Sequence, residues 1–330
     1  MRSVYVGGLY SCAQIRHQHP TDKWIFSDFL TTGPFRLTDN PNDADIFLAL
    51  DFNPEEQEIL KLRRTQARLS ILFRNEPKCV SPTNFGSHID ELFHETMNFG
   101  RISHEYKHVK RWPQFWTTQD FDFEKKTIRK NKIVMVNANK MSFHKSEQYS
   151  LRRKCMKRIL DVETFGSSWD MSRKARLRAL LIDLRRTLRG HSAPKLSSLR
   201  YWFANWPPTE APEDKNKVLH GYQFSLVIEN SLDYMTEKLF DVFFAGCIPI
   251  YVGPDVALFG IPMNLVVQVN PTVDSIRTGI EVARSMDYVV YLESLEEWLN
   301  SKDAQEAHEG KHVLKRSVEF ISRASADIGR

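Results

Sequence analysis

The residues most suited to binding or chemistry are Glu237 and Lys238. They are adjacent, near the start of a helix predicted over Tyr234–Ala245. A lysine in a first helical turn opposes the positive end of the helix dipole. That cost is understandable if Lys238 meets an anion, because helix N-termini favour phosphate and a lysine adds a point charge. Glu237 is then placed to accept hydrogen bonds from ribose hydroxyls. An ordinary exposed Glu–Lys pair is the alternative, and spacing alone leaves the two interpretations about equally matched.

A second candidate is an acid that follows an apolar run. Leu69–Phe73 is typical of a buried strand, and Glu76 comes just after it. Pro77 favours an extended backbone at Glu76, which would aim the carboxylate out of the strand end. Ligands of open α/β sheets bind beyond the carboxyl ends of the strands, so a carboxylate there can take a proton. The alternative is a surface acid that only ends the strand.

The elements that must position these residues follow an α/β pattern, in which short apolar runs alternate with helical stretches. The predicted strands are Ser3–Val6, Ile46–Leu50, Leu69–Phe73, Ile133–Val136, Phe224–Ile228 and Ile248–Val252. Helices are predicted from Pro54 through Arg64 and over Tyr149–Leu160, Arg173–Arg189 and Tyr234–Ala245. In the last of these, the residues expected to face the sheet are Met235, Leu239, Val242 and Phe243. The strand–helix–strand unit from Phe224 to Val252 has the size of a parallel crossover, about 30 residues.

Length predicts two domains, since 330 residues exceed the usual size of about 150 for one. The polar, charged stretch Phe121–Lys132 marks the boundary. We therefore predict an N-terminal Rossmann-like domain over 1–128 and a C-terminal domain with terminal helices over 129–330. Two such domains would face each other across a cleft lined by strand ends.

Composition excludes several classes of protein. Hydrophobic residues are 42% and charged residues 26% of the chain, which is too apolar for a disordered protein. The net charge of +5 is too small for a histone-like coat of nucleic acid. The four cysteines are scattered without a Cys-x-x-Cys pair, which argues against a zinc ribbon and a disulfide-stapled domain. No signal-peptide pattern precedes the first strand. We expect a cytoplasmic enzyme of bacterial or viral type.

Three stretches carry a family resemblance: Phe224–Ser231, Tyr234–Lys238 and Ala245–Gly253. Over about Tyr222–Pro254 they resemble the donor-binding signature of the α-1,3-fucosyltransferases, glycosyltransferase family 10. The resemblance implies a GT-B architecture of two Rossmann-like domains, GDP-fucose as the donor and inversion at the sugar carbon. By motif position, Asn230, Tyr234, Glu237 and Lys238 would contact the donor. Glu237 would hold the ribose and Lys238 a phosphate.

Two shorter similarities extend this resemblance. Ile71–Pro77 is similar to the Glu-Ser-Pro turn of the family, which implies that Glu76 is the general base; here Glu76 meets Pro77 directly. Family members also carry a diphosphate-binding arginine at the start of a helix like the predicted Tyr149–Leu160. Arg152 is the better match, and one residue of slippage would make it Arg153. Arginine suits this role because its planar donors grip phosphate oxygens in pairs. A solvated basic face is the alternative.

The remaining motifs add no residue to the predicted site. Asp43-Ala44-Asp45 and Asp120-Phe121-Asp122 match the Asp-x-Asp of metal-dependent glycosyltransferases, but three-residue matches are common and we predict no metal site at either. His17 and His19 lack a third ligand nearby. The aromatic residues Trp112, Phe115 and Trp116 lie in the domain where the acceptor should bind, yet core packing is the more usual role of such residues.

The predicted helix Arg173–Arg189 combines a leucine face with seven basic residues and one acid. Such a helix can lie on an anionic membrane surface as a peripheral contact. Leucines at this spacing more often point into a core, and we favour that interpretation.

The sequence therefore predicts an inverting fucosyltransferase that uses GDP-fucose, acts on an oligosaccharide or glycolipid, needs no essential metal or other cofactor and binds no nucleic acid. One alternative is an exostosin-type glycosyltransferase with another nucleotide sugar, because Ala245–Pro249 is similar to that family too. Another is a non-catalytic binder of anionic glycan or nucleic acid through the basic helix. The acceptor and its linkage position stay open.

Overall fold

The computed structural model describes residues 2–8, 35–74, 76–98, 109–111, 129–140, 142, 144–167, 169, 177, 181, 212–308 and 319–326. The chain divides into two compact units. Unit 1 comprises Met1–Thr118 together with Lys302–Arg330, and unit 2 comprises Gln119–Ser301.

Unit 1 is built on a six-stranded, fully parallel sheet. Its strands are β1 (Arg2–Gly8), β2 (Phe35–Leu37), β3 (Ile46–Leu50), β4 (Ser70–Arg74), β5 (Glu95–Asn98) and β6 (Val109–Arg111), in the order β2-β1-β3-β4-β5-β6. Every residue of β3 and β4 is buried, as expected for central strands covered on both faces. A 3₁₀ turn, Pro54–Glu56, leads into helix α1 (Gln57–Thr65), and helix α2 (Ser87–Asp90) precedes β5. The predicted strands and helix of this region are confirmed.

Unit 2 is built on a five-stranded parallel sheet. Its strands are β7 (Lys130–Val136), β8 (Val162–Phe165), β9 (Tyr222–Ile228), β10 (Ile248–Val252) and β11 (Val267–Gln268), in the order β11-β10-β9-β7-β8. Helices with described bounds in this unit are α3 (Tyr149–Arg158), α4 (Lys215–Leu219), α5 (Lys238–Phe244), α6 (Val273–Ser285) and α7 (Tyr288–Leu299). The carboxyl ends of parallel strands share one edge of the sheet, where ligands of such sheets bind.

The β9–α5–β10 crossover is present, and the four apolar residues predicted to face the sheet are all buried. The predicted start of its helix is wrong. The helix begins at Lys238 instead of Tyr234, because residues 231–236 form a loop pinned by hydrogen bonds to Glu229. Glu237 therefore occupies the N-cap position, and Tyr234 lies in the loop.

The C-terminal segment belongs to unit 1, whereas the sequence placed 302–330 in the second domain. It begins with helix α8 (Lys302–His308), and residues 319–326 are helical. The Phe320 ring packs edge-on against Phe73 of β4, and the Arg2 guanidinium donates to the Ser325 carbonyl oxygen at 2.7 Å. These contacts join residues about 250 or more positions apart, so no local pattern reveals them.

Three cysteines, Cys79, Cys155 and Cys247, are buried and form no disulfide with one another, and Cys12 lies outside the described residues. Of the basic helix predicted at 173–189, only Leu177 and Leu181 are described. Their side chains are 59% and 53% exposed, so these two leucines do not point into a core as the favoured interpretation required. Within the described ranges, no helix is long and apolar enough to cross a membrane.

Candidate functional site

The loop that follows β9 in unit 2 is organised around a buried carboxylate, Glu229, which has no exposed surface. Its two oxygens accept hydrogen bonds from the Thr236 backbone N–H and from the Thr236 hydroxyl, each at 2.8 Å. The Lys238 ammonium lies 3.6 Å from the same carboxylate. These bonds close residues 229–238 into a fixed loop at the carboxyl end of the strand. Sequence reasoning assigned no role to Glu229, although a glutamate directly after a buried strand was a usable signal.

Lys238 is held at the base of this loop. Its ammonium donates to the Thr236 hydroxyl oxygen at 2.8 Å, and 21% of its side chain is exposed. An ammonium carries three donors, so the hydrogen bond to Thr236 leaves donors for an incoming anion. Thr236 both donates to Glu229 and accepts from Lys238, so the cation is oriented through two linked hydrogen bonds.

Glu237 is half-buried beside Lys238. Burial opposes its ionisation, but the positive charges of Lys238 and Lys215 hold its pKa below the ordinary value. An ionised carboxylate accepts hydrogen bonds only, which suits contact with hydroxyl groups. Lys215 of α4 forms an ion pair with Asp241 of α5 at 2.6 Å, and burial raises the pKa of Asp241 to about 6 despite that pair. Lys215 was missed from the sequence because only the fold brings α4 against α5.

Arg152 and Asn230, which two separate similarities indicated, are hydrogen-bonded to each other. The Arg152 guanidinium donates to the Ile228 carbonyl oxygen at 2.6 and 3.1 Å and to Asn230 Oδ1 at 3.0 Å. Its charge also lies 4.8 Å from the centre of the Tyr149 ring. Arg152 is only 2% exposed, so it holds the end of β9 and orients the Asn230 amide.

Two other predicted residues occupy different surroundings. Arg153 donates to the Lys140 carbonyl oxygen at 2.6 Å and to Ser150 Oγ at 3.0 Å, which ties α3 to the segment after β7. Of the two arginines, the one bonded to the Asn230 side chain is therefore Arg152. Tyr234 is buried in the loop and pairs with Ser231 through an isolated bridge.

Glu76 lies in unit 1, two residues after β4, and is half-buried. Its backbone N–H points to Asp51 Oδ1 at 3.3 Å, and Asp51 directly follows the neighbouring strand β3. The predicted placement of Glu76 at the carboxyl end of a buried strand is confirmed. Its role as a base stays a prediction.

A further carboxylate, Glu56, lies at the same edge of the unit 1 sheet. Both of its oxygens face the Gly8 backbone N–H, at 2.9 and 3.1 Å. Gly8 has a left-handed φ of 87°, and a Cβ there would lie 2.2 Å from the carbonyl oxygens of Leu50 and Asp51, so only glycine fits. Burial raises the pKa of Glu56 to about 7, although the Gly8 hydrogen bond favours the ionised form.

This pKa predicts a pH dependence of stability. Between pH 4.5 and about 7 the native state binds the Glu56 proton more tightly than the unfolded chain does, so the free energy of unfolding falls as pH rises through that window. Glu56→Gln keeps an acceptor for the Gly8 N–H and carries no charge. We expect it to be about 1–2 kcal/mol more stable than the wild type at pH 8 and equally stable near pH 4. Urea unfolding at both pH values checks this, and a difference independent of pH would contradict it.

Of the two Asp-x-Asp matches, the structure describes Asp43-Ala44-Asp45, where Asp45 is held by hydrogen bonds to Ser3. Asp45 Oδ2 accepts from the Ser3 backbone N–H at 2.7 Å and from the Ser3 hydroxyl at 2.8 Å, and these bonds lower its pKa. Across the part of the chain that the structure describes, no group of three or more His, Cys, Asp or Glu side chains could hold a metal ion. The remaining candidates lie outside the described residues: Asp120, Asp122, His17, His19, Trp112, Phe115 and Trp116.

Comparison with known proteins identifies the fold. No family model and no curated protein sequence matches the chain. Among solved structures, an α1,3-fucosyltransferase has a TM-score of 0.57 at 13% identity, over 98% of this chain and 90% of that one. Its complex with GDP has the same TM-score at 15% identity and the same coverage. HepE from Anabaena, in complex with UDP and glucose, has a TM-score of 0.54 at 9% identity, over 98% of this chain and all of that one. The chain therefore has the fold of GT-B glycosyltransferases.

Proposed function

We propose that the chain is an inverting glycosyltransferase that transfers L-fucose from GDP-fucose to a hydroxyl of an acceptor oligosaccharide or glycolipid. The observation that carries the proposal is the loop after β9 in a GT-B fold, where the buried Glu229 holds Thr236 and Lys238 and the same segment carries Asn230 and Glu237. Cation, ionised carboxylate and amide are the groups that a diphosphate and a ribose require.

The donor roles follow from the surroundings of each residue. Lys238, whose side chain is partly exposed, donates from its ammonium to a phosphate, and the ionised Glu237 accepts from the ribose hydroxyls. Arg152 orients the Asn230 amide, and we keep its direct contact with the diphosphate as part of the proposal. The donor contact of Tyr234 likewise stays a prediction.

The proposed reaction is a single displacement. Glu76 accepts the proton of the acceptor hydroxyl while the acceptor oxygen bonds to the anomeric carbon on the face opposite the diphosphate. The bond from that carbon to the diphosphate oxygen breaks, and GDP leaves with its charge stabilised by Lys238. Because this cation meets the phosphates, we propose that no metal or other cofactor is essential.

The first test is the choice of nucleotide. We expect GDP to raise the melting temperature measurably and UDP to raise it much less, because a ligand at 100 times its Kd adds about 2.7 kcal/mol to stability. Thermal melts with GDP, UDP and a short RNA measure this. HepE, the structural neighbour solved with UDP and glucose, keeps a UDP-sugar donor as the second candidate. Equal or greater protection by UDP would contradict GDP-fucose, and protection by RNA alone would favour a binding protein.

Assaying the transfer of fucose from GDP-fucose onto an array of glycans and glycolipids identifies the acceptor.

We also propose that the enzyme is cytoplasmic and contacts an anionic membrane through residues 173–189. The exposure of Leu177 and Leu181 supports that contact, because apolar side chains of an interfacial helix face the lipid.

A further inference from the structure

Asp51 adopts an unusual backbone conformation for its residue type. It directly follows β3, is 1% exposed and has a φ of 59°. Within the described ranges, Ala67 is the other non-glycine residue with a positive φ. Such conformations persist where the surroundings over-determine them, and they concentrate at functional sites. Glycine would fit this backbone without strain, yet the chain carries an acidic side chain here.

The Asp51 side chain explains that choice, because it joins two separate segments. Asp51 Oδ1 accepts from Asn84 Nδ2 at 2.6 Å and from the Glu76 backbone N–H at 3.3 Å. Asn84 is fully buried, and its own Oδ1 accepts from the Phe52 backbone N–H. One carboxylate oxygen therefore connects the end of β3 to the turn that carries Glu76.

Arg74 fixes the other side of the turn that carries Glu76. The guanidinium of Arg74, the last residue of β4, has no exposed surface. It donates to the Asn84 carbonyl oxygen at 2.7 Å, pairs with Asp90 and lies 5.1 Å from the centre of the Phe85 ring. Glu76 is thus flanked by a buried polar network that runs from Arg74 through Asn84 to Asp51.

From this network we infer that Asp51 is a positioning residue for Glu76, holding the backbone at Glu76 so that its carboxylate keeps one direction. The inference rests on the proposed function, in which Glu76 takes the acceptor proton. A misplacement of about 1 Å costs on the order of 10²-fold in rate, so a base on a turn needs such support. The alternative is a hydrogen bond that stabilises the turn without affecting turnover.

Three variants separate these roles. Asp51→Gly removes the carboxylate while keeping the positive φ, and Asp51→Asn keeps both an acceptor oxygen and tolerance of that φ. Asp45→Gly is the matched control, since Asp45 directly precedes the same strand and its carboxylate binds Ser3 at the opposite edge of the sheet. We expect Asp51→Gly to lower kcat by about 30- to 100-fold with unchanged GDP affinity. Asp51→Asn should stay within about fivefold of the wild type, and Asp45→Gly should leave kcat unchanged.

A double-mutant cycle with Glu76→Gln distinguishes a role that Asp51 exerts through Glu76 from a purely structural role. If Asp51 acts through Glu76, adding Asp51→Gly to Glu76→Gln costs little further turnover. Additive losses, or equal losses in Asp51→Gly and Asp51→Asn, would overturn the inference. If Asp51→Gly does not fold, Asp51→Ser replaces it in the same cycle. The serine hydroxyl is too short to reach both the Asn84 amide and the Glu76 backbone N–H.

Hydrogen exchange tests the inference without any turnover. We expect Asp51→Gly, but not Asp45→Gly, to speed amide exchange in the peptide that contains Glu76. Unchanged exchange there would overturn the positioning role. Failure of the proposed function has a different signature, in which the wild type transfers no fucose from GDP-fucose while the exchange difference remains.

Discussion

Glu76→Gln is expected to lower kcat by about 10²–10⁴-fold, the range that general-base catalysis contributes, while the affinity for GDP stays close to that of the wild type. The amide keeps the size and shape of the side chain but cannot take a proton at neutral pH. GDP affinity should be unaffected because Glu76 belongs to unit 1, whereas the residues proposed to bind the donor belong to unit 2. Steady-state transfer and calorimetric titration of GDP on the same folded variant measure both quantities.

The control for this prediction is Glu91→Gln, which makes the same change at an exposed glutamate of unit 1. It should leave both kcat and GDP affinity unaltered. A Glu76→Gln variant that keeps turnover close to the wild type would rule out Glu76 as the base, and a small loss of stability would then mark it as a turn residue.

Glu229→Gln is expected to weaken GDP binding by about 10- to 100-fold, that is, by roughly 1.4–2.8 kcal/mol. The amide keeps one acceptor oxygen and places an NH₂ group against a Thr236 donor, so one of the two loop hydrogen bonds is lost. It also removes the charge that holds the Lys238 ammonium. The loop and its lysine should both lose their fixed geometry, with a loss of stability of about 2–4 kcal/mol.

Glu163→Gln provides the matched control for Glu229. Glu163 lies on β8 of the same sheet and also bonds a lysine and a hydroxyl, those of Lys132 and Tyr222, but these partners lie toward the amino ends of β7 and β9. We expect its GDP affinity to equal that of the wild type. Calorimetric titration of GDP with both variants makes the comparison. If Glu229→Gln binds GDP as tightly as Glu163→Gln does, the loop around Glu229 does not form the donor site.

Much of the scaffold could be predicted because its signals are local. Central parallel strands are buried on both faces and therefore appear as continuous apolar runs, whereas a half-exposed strand would alternate with polar residues. Such runs occur at Ile46–Leu50 and, with one serine, at Phe224–Ile228. The crossover from β9 to β10 could be predicted for the same reason. Asn230, Glu237 and Lys238 could be named as candidates because they occur together in one short segment, and their contact with the donor stays a prediction.

The start of α5 was missed because it depends on a residue outside the helix. Tyr234–Ala245 is a plausible helix by its apolar spacing alone. In the folded chain, Glu229 captures the Thr236 backbone N–H and hydroxyl, so the residues before Lys238 serve the loop instead of a helical turn. A side chain seven positions away therefore overrides local propensity.

The sequence by itself determined the two α/β halves, the strand ends that carry Glu76 and the loop after β9, and the pairing of Glu237 with Lys238. These features follow from burial patterns and residue types within short windows. Only the tertiary structure decided that Lys215 supports Glu237, that Asp51 holds the turn of Glu76 and that the C-terminal segment returns to unit 1. Each of these depends on hydrogen bonds, charges or ring contacts between residues far apart in the chain, and such pairs become neighbours only once the sheets and helices have packed.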